Sequence, residues 1–178
     1  MAKDHKIYKQ YDSRWGYKNY NGSSTLAMAA CGPFSCLNVL RDFGLKVKPM
    51  EPVKFMQKNK YAVYNHGTSW SGIPACLKYF GLTDVKEVNV DTSMVNVWKK
   101  LKKGYKAVFL FSAGKRGGVC WTTSGHYMAV LDYKVKDKKH WLYMADSGGR
   151  DHDGWYCYET QMRGLIPKVW VGIKEETE

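Results

Sequence analysis

The chain has no run of apolar residues approaching the ~20 that a membrane-spanning helix needs. Its opening residues, Met1-Ala2-Lys3-Asp4-His5-Lys6, lack the apolar core of a secretory signal. The expectation is a protein that is cytoplasmic as made, or released and delivered to its place of action by another agent. Acidic residues are in deficit: 16 Asp and Glu stand against 28 Lys and Arg, for a formal net charge of +12. That excess favours solubility and anionic partners without fixing a fold. Nucleic acid is not the expected partner, because no zinc-finger, RNA-recognition or Gly-rich phosphate-binding motif is present. The basic runs Lys99-Lys100-Leu101-Lys102-Lys103 and Lys134 to Lys139 read as solvated faces. Cysteine is sparse and odd in number, with five residues at 31, 36, 76, 120 and 157. With no secretory signal, all five are expected to be reduced thiols. Cys31 and Cys36 stand close in sequence but no second pair answers them, which argues against structural zinc. Neither a metal nor a cofactor is expected. Repeats, low-complexity tracts and Pro- or Ser-rich linkers are also missing, and 178 residues suit one domain. The domain is assigned to residues 1–173, with 174–178 as a polar tail, and a monomer is expected.

Aromatics are plentiful at 15% of the chain. Most are expected in the core, although some could line a groove for an extended ligand. The first thirty residues, rich in Tyr, Gly, Asn and Ser, read as irregular. From Gly32 to Phe43 a helix is predicted: Pro33 suits its first turn, Leu37, Leu40 and Phe43 recur at helical spacing, and Gly44 stops it. Met50 to Asn59 and Ile73 to Phe80 read as shorter helices. Asp91-Thr92-Ser93 can cap another that runs to Lys103, with Val95, Trp98 and Leu101 on one face. Further on, Ala107 to Phe111, Tyr127 to Tyr133, Trp141 to Ala145 and Val169 to Ile173 read as strands. Helices first and hairpin-spaced strands later imply an α+β fold, with N-terminal helices packed on a largely antiparallel C-terminal sheet.

Two residues stand where chemistry could be done. Cys31 directly precedes Gly32-Pro33 at a predicted helix start, where the partial positive charge of the helix end lowers a thiol pKa. By position alone it could equally be a small core residue. His126, in Ser124-Gly125-His126-Tyr127, stands at the mouth of a predicted strand whose apolar continuation anchors it. Such a mount suits a base facing a cleft. The strand from Trp141 ends at Ala145-Asp146-Ser147-Gly148-Gly149. If the two strands are hairpin neighbours, Asp146 can orient the imidazole, completing a nucleophile–base–orienter set. Otherwise Asp146 is a turn former. His5, His66, His140 and His152 have no motif around them. Asp151-His152-Asp153 could bind a metal, but adjacent residues cannot all point one way along a strand, so a polar turn is expected. Cys36 is expected to pack inward.

Five blocks carry a family resemblance. They are Tyr8-Lys9-Gln10-Tyr11-Asp12-Ser13-Arg14-Trp15-Gly16, Ala30-Cys31-Gly32-Pro33-Phe34-Ser35, Gly67-Thr68-Ser69-Trp70, Ser124-Gly125-His126-Tyr127 and Asp146. In that order they resemble the C39-like peptidases of the papain-like cysteine peptidase superfamily, over nearly the whole chain. The resemblance implies a papain-like fold, a Cys31-His126-Asp146 triad and Gln10 as oxyanion donor. One departure is visible: the family often has Asp-Pro where this chain has Asp146-Ser147. The implied activity is hydrolysis of amide or peptide bonds. Some relatives of this kind cut leader peptides within membrane transporters, and others are linked to cell-wall peptides or to phages. The cationic charge, with no membrane span, favours bacterial wall peptides as substrate, and peptidoglycan endopeptidase or amidase action of a phage lysin or tail module. A leader or intracellular peptide is the alternative substrate. Acyl transfer to an amine uses the same residue types, and a non-catalytic binding module could keep the scaffold alone.

Overall fold

The computed structural model describes residues 4–91 and 93–176. A two-strand ribbon, β1 (Asn19–Asn21) and β2 (Ser24–Thr25), and the single turn α1 (Leu26–Ala29) precede three helices, α2 (Cys31–Asp42), α3 (Met50–Lys58) and α4 (Gly72–Tyr79). β3 (Thr83–Val88) and α5 (Val95–Lys102) follow. The rest is mainly sheet: β4 (Lys106–Arg116), β5 (Val119–Lys136), β6 (Lys139–Ala145), β7 (Gly154–Cys157), the short α6 (Tyr158–Gln161) and β8 (Lys168–Ile173). The large sheet has the order β3-β8-β4-β5-β6-β7, and every neighbouring pair is antiparallel.

Both faces of this sheet are covered, which explains why its central strands are apolar without a break. Along β4 and β5, Val108, Tyr127, Ala129 and Leu131 face one cluster with Phe34, Leu37, Leu40 and Leu77 of the helices. The alternating residues Ala107, Phe109, Phe111, Met128 and Val130 face a second cluster with Trp98 and Leu101 of α5. Successive side chains on a strand point to opposite faces, so a doubly covered strand shows no polar alternation. Helix α2 is the most deeply set element: every residue from Gly32 to Leu40 is buried. Gly44, with φ +87°, ends it, and the Leu45 N–H donates back to the Leu40 carbonyl at 3.1 Å.

The α+β reading holds, and α2, α3 and α4 lie within a residue of their predicted bounds. The last helix needs correction. Asp91 does not cap it: its carboxylate accepts the N–H groups of Ser93 and Met94 at 3.0 Å in the turn before the helix, and α5 starts later, with a left-handed Met94 at its N-cap. Thr92 lies outside the described residues. The buried stripe of α5 is Val97, Trp98 and Leu101, while Val95 is 44% exposed. Strands β3 and β7 were not predicted. β3 is a sheet edge of charged composition, Thr-Asp-Val-Lys-Glu-Val, whose register shifts between Thr83 and Lys86. β7 has only four residues on the opposite edge. Edge strands need little apolar character, so the alternation that marks a strand is weak in both.

Candidate active site

Cys31 opens α2 and is half-buried, whereas Cys36, Cys76 and Cys157 are buried and Cys120 is partly exposed on β5. All five thiols are free. As a first-turn residue, Cys31 lies among N–H groups that an α-helix leaves without an intrahelical acceptor. Gly32 beside it is required by close packing: a Cβ there would stand 2.4 Å from Thr68 Oγ1. Thr68 cannot retreat easily, because Tyr20 Oη bonds its hydroxyl at 2.6 Å and Tyr127 Oη donates to its carbonyl at 2.8 Å.

His126 lies on β5 opposite Phe111 of β4, where buried Tyr127–Leu131 give way to exposed Thr123–Gly125. Ala129 of β5 pairs with Ala145 of β6, so the residue after β6 arrives beside the imidazole. That residue is Asp146, fully buried, and its Oδ1 lies 2.8 Å from His126 Nε2. The remaining ring nitrogen, Nδ1, is left free of Asp146, and the ionisation of the Cys31 thiol is linked to this ring. A Cβ on Gly148 would lie 3.1 Å from His126 Cε1, so a side chain there would press on the ring unless it gave by a few tenths of an ångström.

The charges reinforce one another. Burial alone would raise the Cys31 thiol. The His126 hydrogen bond and charge, together with a bond from the Tyr127 N–H, outweigh burial and hold it below its ordinary value. Burial would likewise strip the proton from His126, but the bonds to Asp146 and Cys31 prevail and raise it to about 10. Asp146 is pushed up by burial and drawn down further by His126 and by the N–H groups of His152 and Gly148, for a net lowering. A thiolate–imidazolium pair backed by a carboxylate is the arrangement these shifts favour.

Gln10 is buried at 4% exposure and enters the same cleft. Its Nε2 donates to the Ala27 carbonyl at 2.9 Å and, at 3.4 Å, to that of Leu26. Ala27 is the residue whose carbonyl a Cys31 N–H would seek in an unbroken helix, so the Gln10 amide sits at the entrance of α2. The cleft, about 210 Å³, is polar, and Gln10, His126, Asp146 and Arg150 line it together with Thr122 and Ser124. Thr68 also lines a second, more open groove of about 660 Å³, together with Trp70, Pro74, Glu87 and Trp170. Most of the large aromatics are core residues, but Trp70 is 58% exposed here, with Lys168 Nζ 4.4 Å from its ring centroid.

The structure thus brings Cys31, His126, Asp146 and Gln10 to one place. Two of the other histidines are engaged elsewhere. His5 bonds Asp42 at 2.7 Å, and His140 bonds Glu159 at 2.6 Å. Asp151-His152-Asp153 forms the expected irregular turn, and among the described residues no group of three or more His, Cys, Asp or Glu could hold a metal ion. No helix of the described residues is long and apolar enough to cross a membrane. Sequence reasoning missed the support around Asp146. Lys9 Nζ donates to its carbonyl at 2.6 Å and to Asp153 Oδ2 at 2.6 Å, while Asp153 Oδ1 accepts its N–H at 2.8 Å. These are polar residues in irregular segments, and no periodicity could have marked them.

Comparison with known proteins bears on the fold and the family. None of the curated protein sequences matches the chain. Among solved structures, one from Bacillus anthracis, named a candidate C39-like peptidase, is similar with a TM-score of 0.53 at 13% identity, covering 83% of this chain and 90% of the other. At that identity the likeness speaks for the fold alone, which is papain-like. The profile of the Peptidase_C39 like family matches residues 3–177, nearly the whole chain, and the protein belongs to that family.

Proposed function

We propose that the protein is a cysteine hydrolase that cleaves amide bonds in bacterial cell-wall peptides, with Cys31 as nucleophile, His126 as acid and base, Asp146 as orienter and Gln10 as oxyanion donor. The observation that carries this reading is the chain of contacts from the half-buried Cys31 thiol to His126 and on to the buried Asp146 carboxylate. The Cys31 thiolate adds to the amide carbonyl, forming a C–S bond and an oxyanion. The Gln10 amide and the Cys31 N–H stabilise that charge as it develops. The His126 imidazolium gives its proton to the leaving nitrogen as the C–N bond breaks, leaving a thioester. The now neutral imidazole takes a proton from water, hydroxide adds to the thioester, and the C–S bond breaks to release the acid and restore the thiolate.

The substrate class rests on shape and charge. The polar cleft holds His126 and Gln10, and the Trp70 groove reaches Thr68, the residue packed against Gly32 beside the nucleophile, so an extended peptide has two surfaces to follow. The net charge of +12 attracts an anionic matrix, and part of it is displayed on the exposed Lys99, Lys102 and Lys103 around the end of α5. The test is incubation with purified peptidoglycan and with a panel of linear peptides, read by mass spectrometry, with Cys31→Ala as control. The expected products are a new free carboxylate and amine from peptidoglycan. Cleavage of linear peptides alone would overturn the substrate class, and a new amide in place of an acid would indicate acyl transfer. Retention on wall material should fall steeply between low and high salt, since charges are screened beyond ~8 Å at physiological ionic strength.

A further inference from the structure

A glutamine amide can serve an oxyanion only if its NH₂ end faces the substrate. Its two ends have nearly the same shape, and a half-turn of the terminal torsion would present an oxygen instead. At Gln10 the donor end meets the carbonyls of Ala27 and Leu26, which can only accept. The other end, Oε1, lies 2.8 Å from the Ser147 hydroxyl. A hydroxyl could accept as well as donate, but the two carbonyls decide the matter and Ser147 must donate. Ser147 has no exposed surface, so its proton is not shared with bulk water. The same residue also fixes the main chain, since the Gln10 N–H donates to the Ser147 carbonyl at 2.9 Å. The contact therefore grips Gln10 at its backbone and at the end of its side chain.

We propose that Ser147 is a positioning residue that, holding Oε1 opposite the carbonyls of Ala27 and Leu26, locks the Gln10 amide in place at the oxyanion site. Asp146 orients the base and the next residue orients the oxyanion donor, so one dipeptide aligns both. Ser147 is the position at which this chain departs from the Asp-Pro that the family it resembles often has, and proline has no hydroxyl to give. The proposal rests on the assignment of Cys31 and Gln10 made above.

The test uses two reagents for Cys31 that differ in their need for an oxyanion. Acylation by p-nitrophenyl acetate passes through a tetrahedral oxyanion, whereas alkylation by iodoacetamide displaces iodide directly and forms none. Peptide mapping assigns each modification to Cys31. Ser147→Ala should slow acylation by between about twofold and tenfold, the range for one neutral hydrogen bond. Alkylation should be unchanged, and the loss should vanish in a Gln10→Ala background, since a group that acts only through Gln10 has nothing left to act on. Equal slowing of both reagents, or the same acylation loss with and without Gln10, would overturn the proposal while leaving the nucleophile assignment intact. A Cys31 inert to both reagents in the unmodified protein would instead remove the assignment on which the proposal rests. Ser147→Cys, close in shape and a weaker donor, carries the same expectations should the alanine variant not fold.

Discussion

Cys31 and Asp146 are held by opposite means. Cys31 rides on a helix whose next nine residues, Gly32 to Leu40, are all buried, mostly against apolar neighbours. Asp146 sits in a loop held by hydrogen bonds: its carboxylate meets His126 and the N–H groups of Gly148 and His152, its own N–H meets Asp153, and its carbonyl meets Lys9. Apolar packing is non-directional and fixes where a group sits, whereas hydrogen bonds fix which way it points. The roles proposed for them match: a nucleophile needs place, and an orienter needs direction. Damage to the two regions should therefore separate into lost stability on one side and lost turnover on the other.

The largest expected effect tests the helix side at its one reactive atom. Cys31→Ala should abolish hydrolysis while leaving the melting temperature nearly unchanged, as followed by product analysis and a thermal scan. Next comes Phe34→Ala in the same helix, a fully buried ring. It should cost about 3–5 kcal/mol of stability in denaturant unfolding, with turnover per folded molecule largely kept. A Phe34→Ala protein that stays stable but loses turnover would break the division. On the polar side, Asp146→Asn should keep the fold yet lower kcat/KM by roughly 10–10³. Asn fills the space but can neither stabilise the imidazolium nor be relied on to keep its tautomer. Asp132→Asn and Asp151→Asn serve as controls, and full activity of Asp146→Asn with loss in either control would misplace the orienter.

The smallest effect is one of pH. The Cys31 thiol is lowered by His126, so iodoacetamide should label Cys31 before Cys36, Cys76, Cys120 or Cys157 near neutral pH. Because a depressed acid stays ionised until the pH falls through its folded value, the labelling rate should persist below the range of an ordinary thiol. His126 is raised to about 10, so the imidazolium, and the alkaline limb of kcat/KM, should persist until that pH and not fail near 6.5. An alkaline limb near 6.5, read from initial rates, would show that the ion pair does not form.

The same contrast explains what could be read in the sequence. The helices were legible because their apolar periodicity is the force that places them: Leu37 and Leu40 appear where a buried face demands them. The central strands were legible as unbroken apolar runs, since the sheet is covered on both faces. Cys31 and Asp146 stand at element ends as read, whereas His126, read at the mouth of a strand, lies inside β5 because the strand begins at Val119, eight residues before the expected start. Gln10 was not legible, because a buried polar residue in an irregular segment looks like any surface glutamine, and its assignment came from resemblance. Ser147 showed only as a departure from a pattern. Its contact with Gln10 bridges 137 positions, and no local rule reaches that far.

That span has a consequence for the order in which the enzyme comes into being. Residues 9–10 leave the ribosome early and their partners at 146–147 late, so the machinery cannot be assembled until most of the chain exists. Contacts of such separation make for slow, late closure, because the loop entropy is lost before the contact forms. A growing chain that already displays the Cys31 thiol has neither base nor aligned oxyanion donor. The topology thus acts as a built-in delay: the proposed site cannot close until residues 146 and 147 have been made.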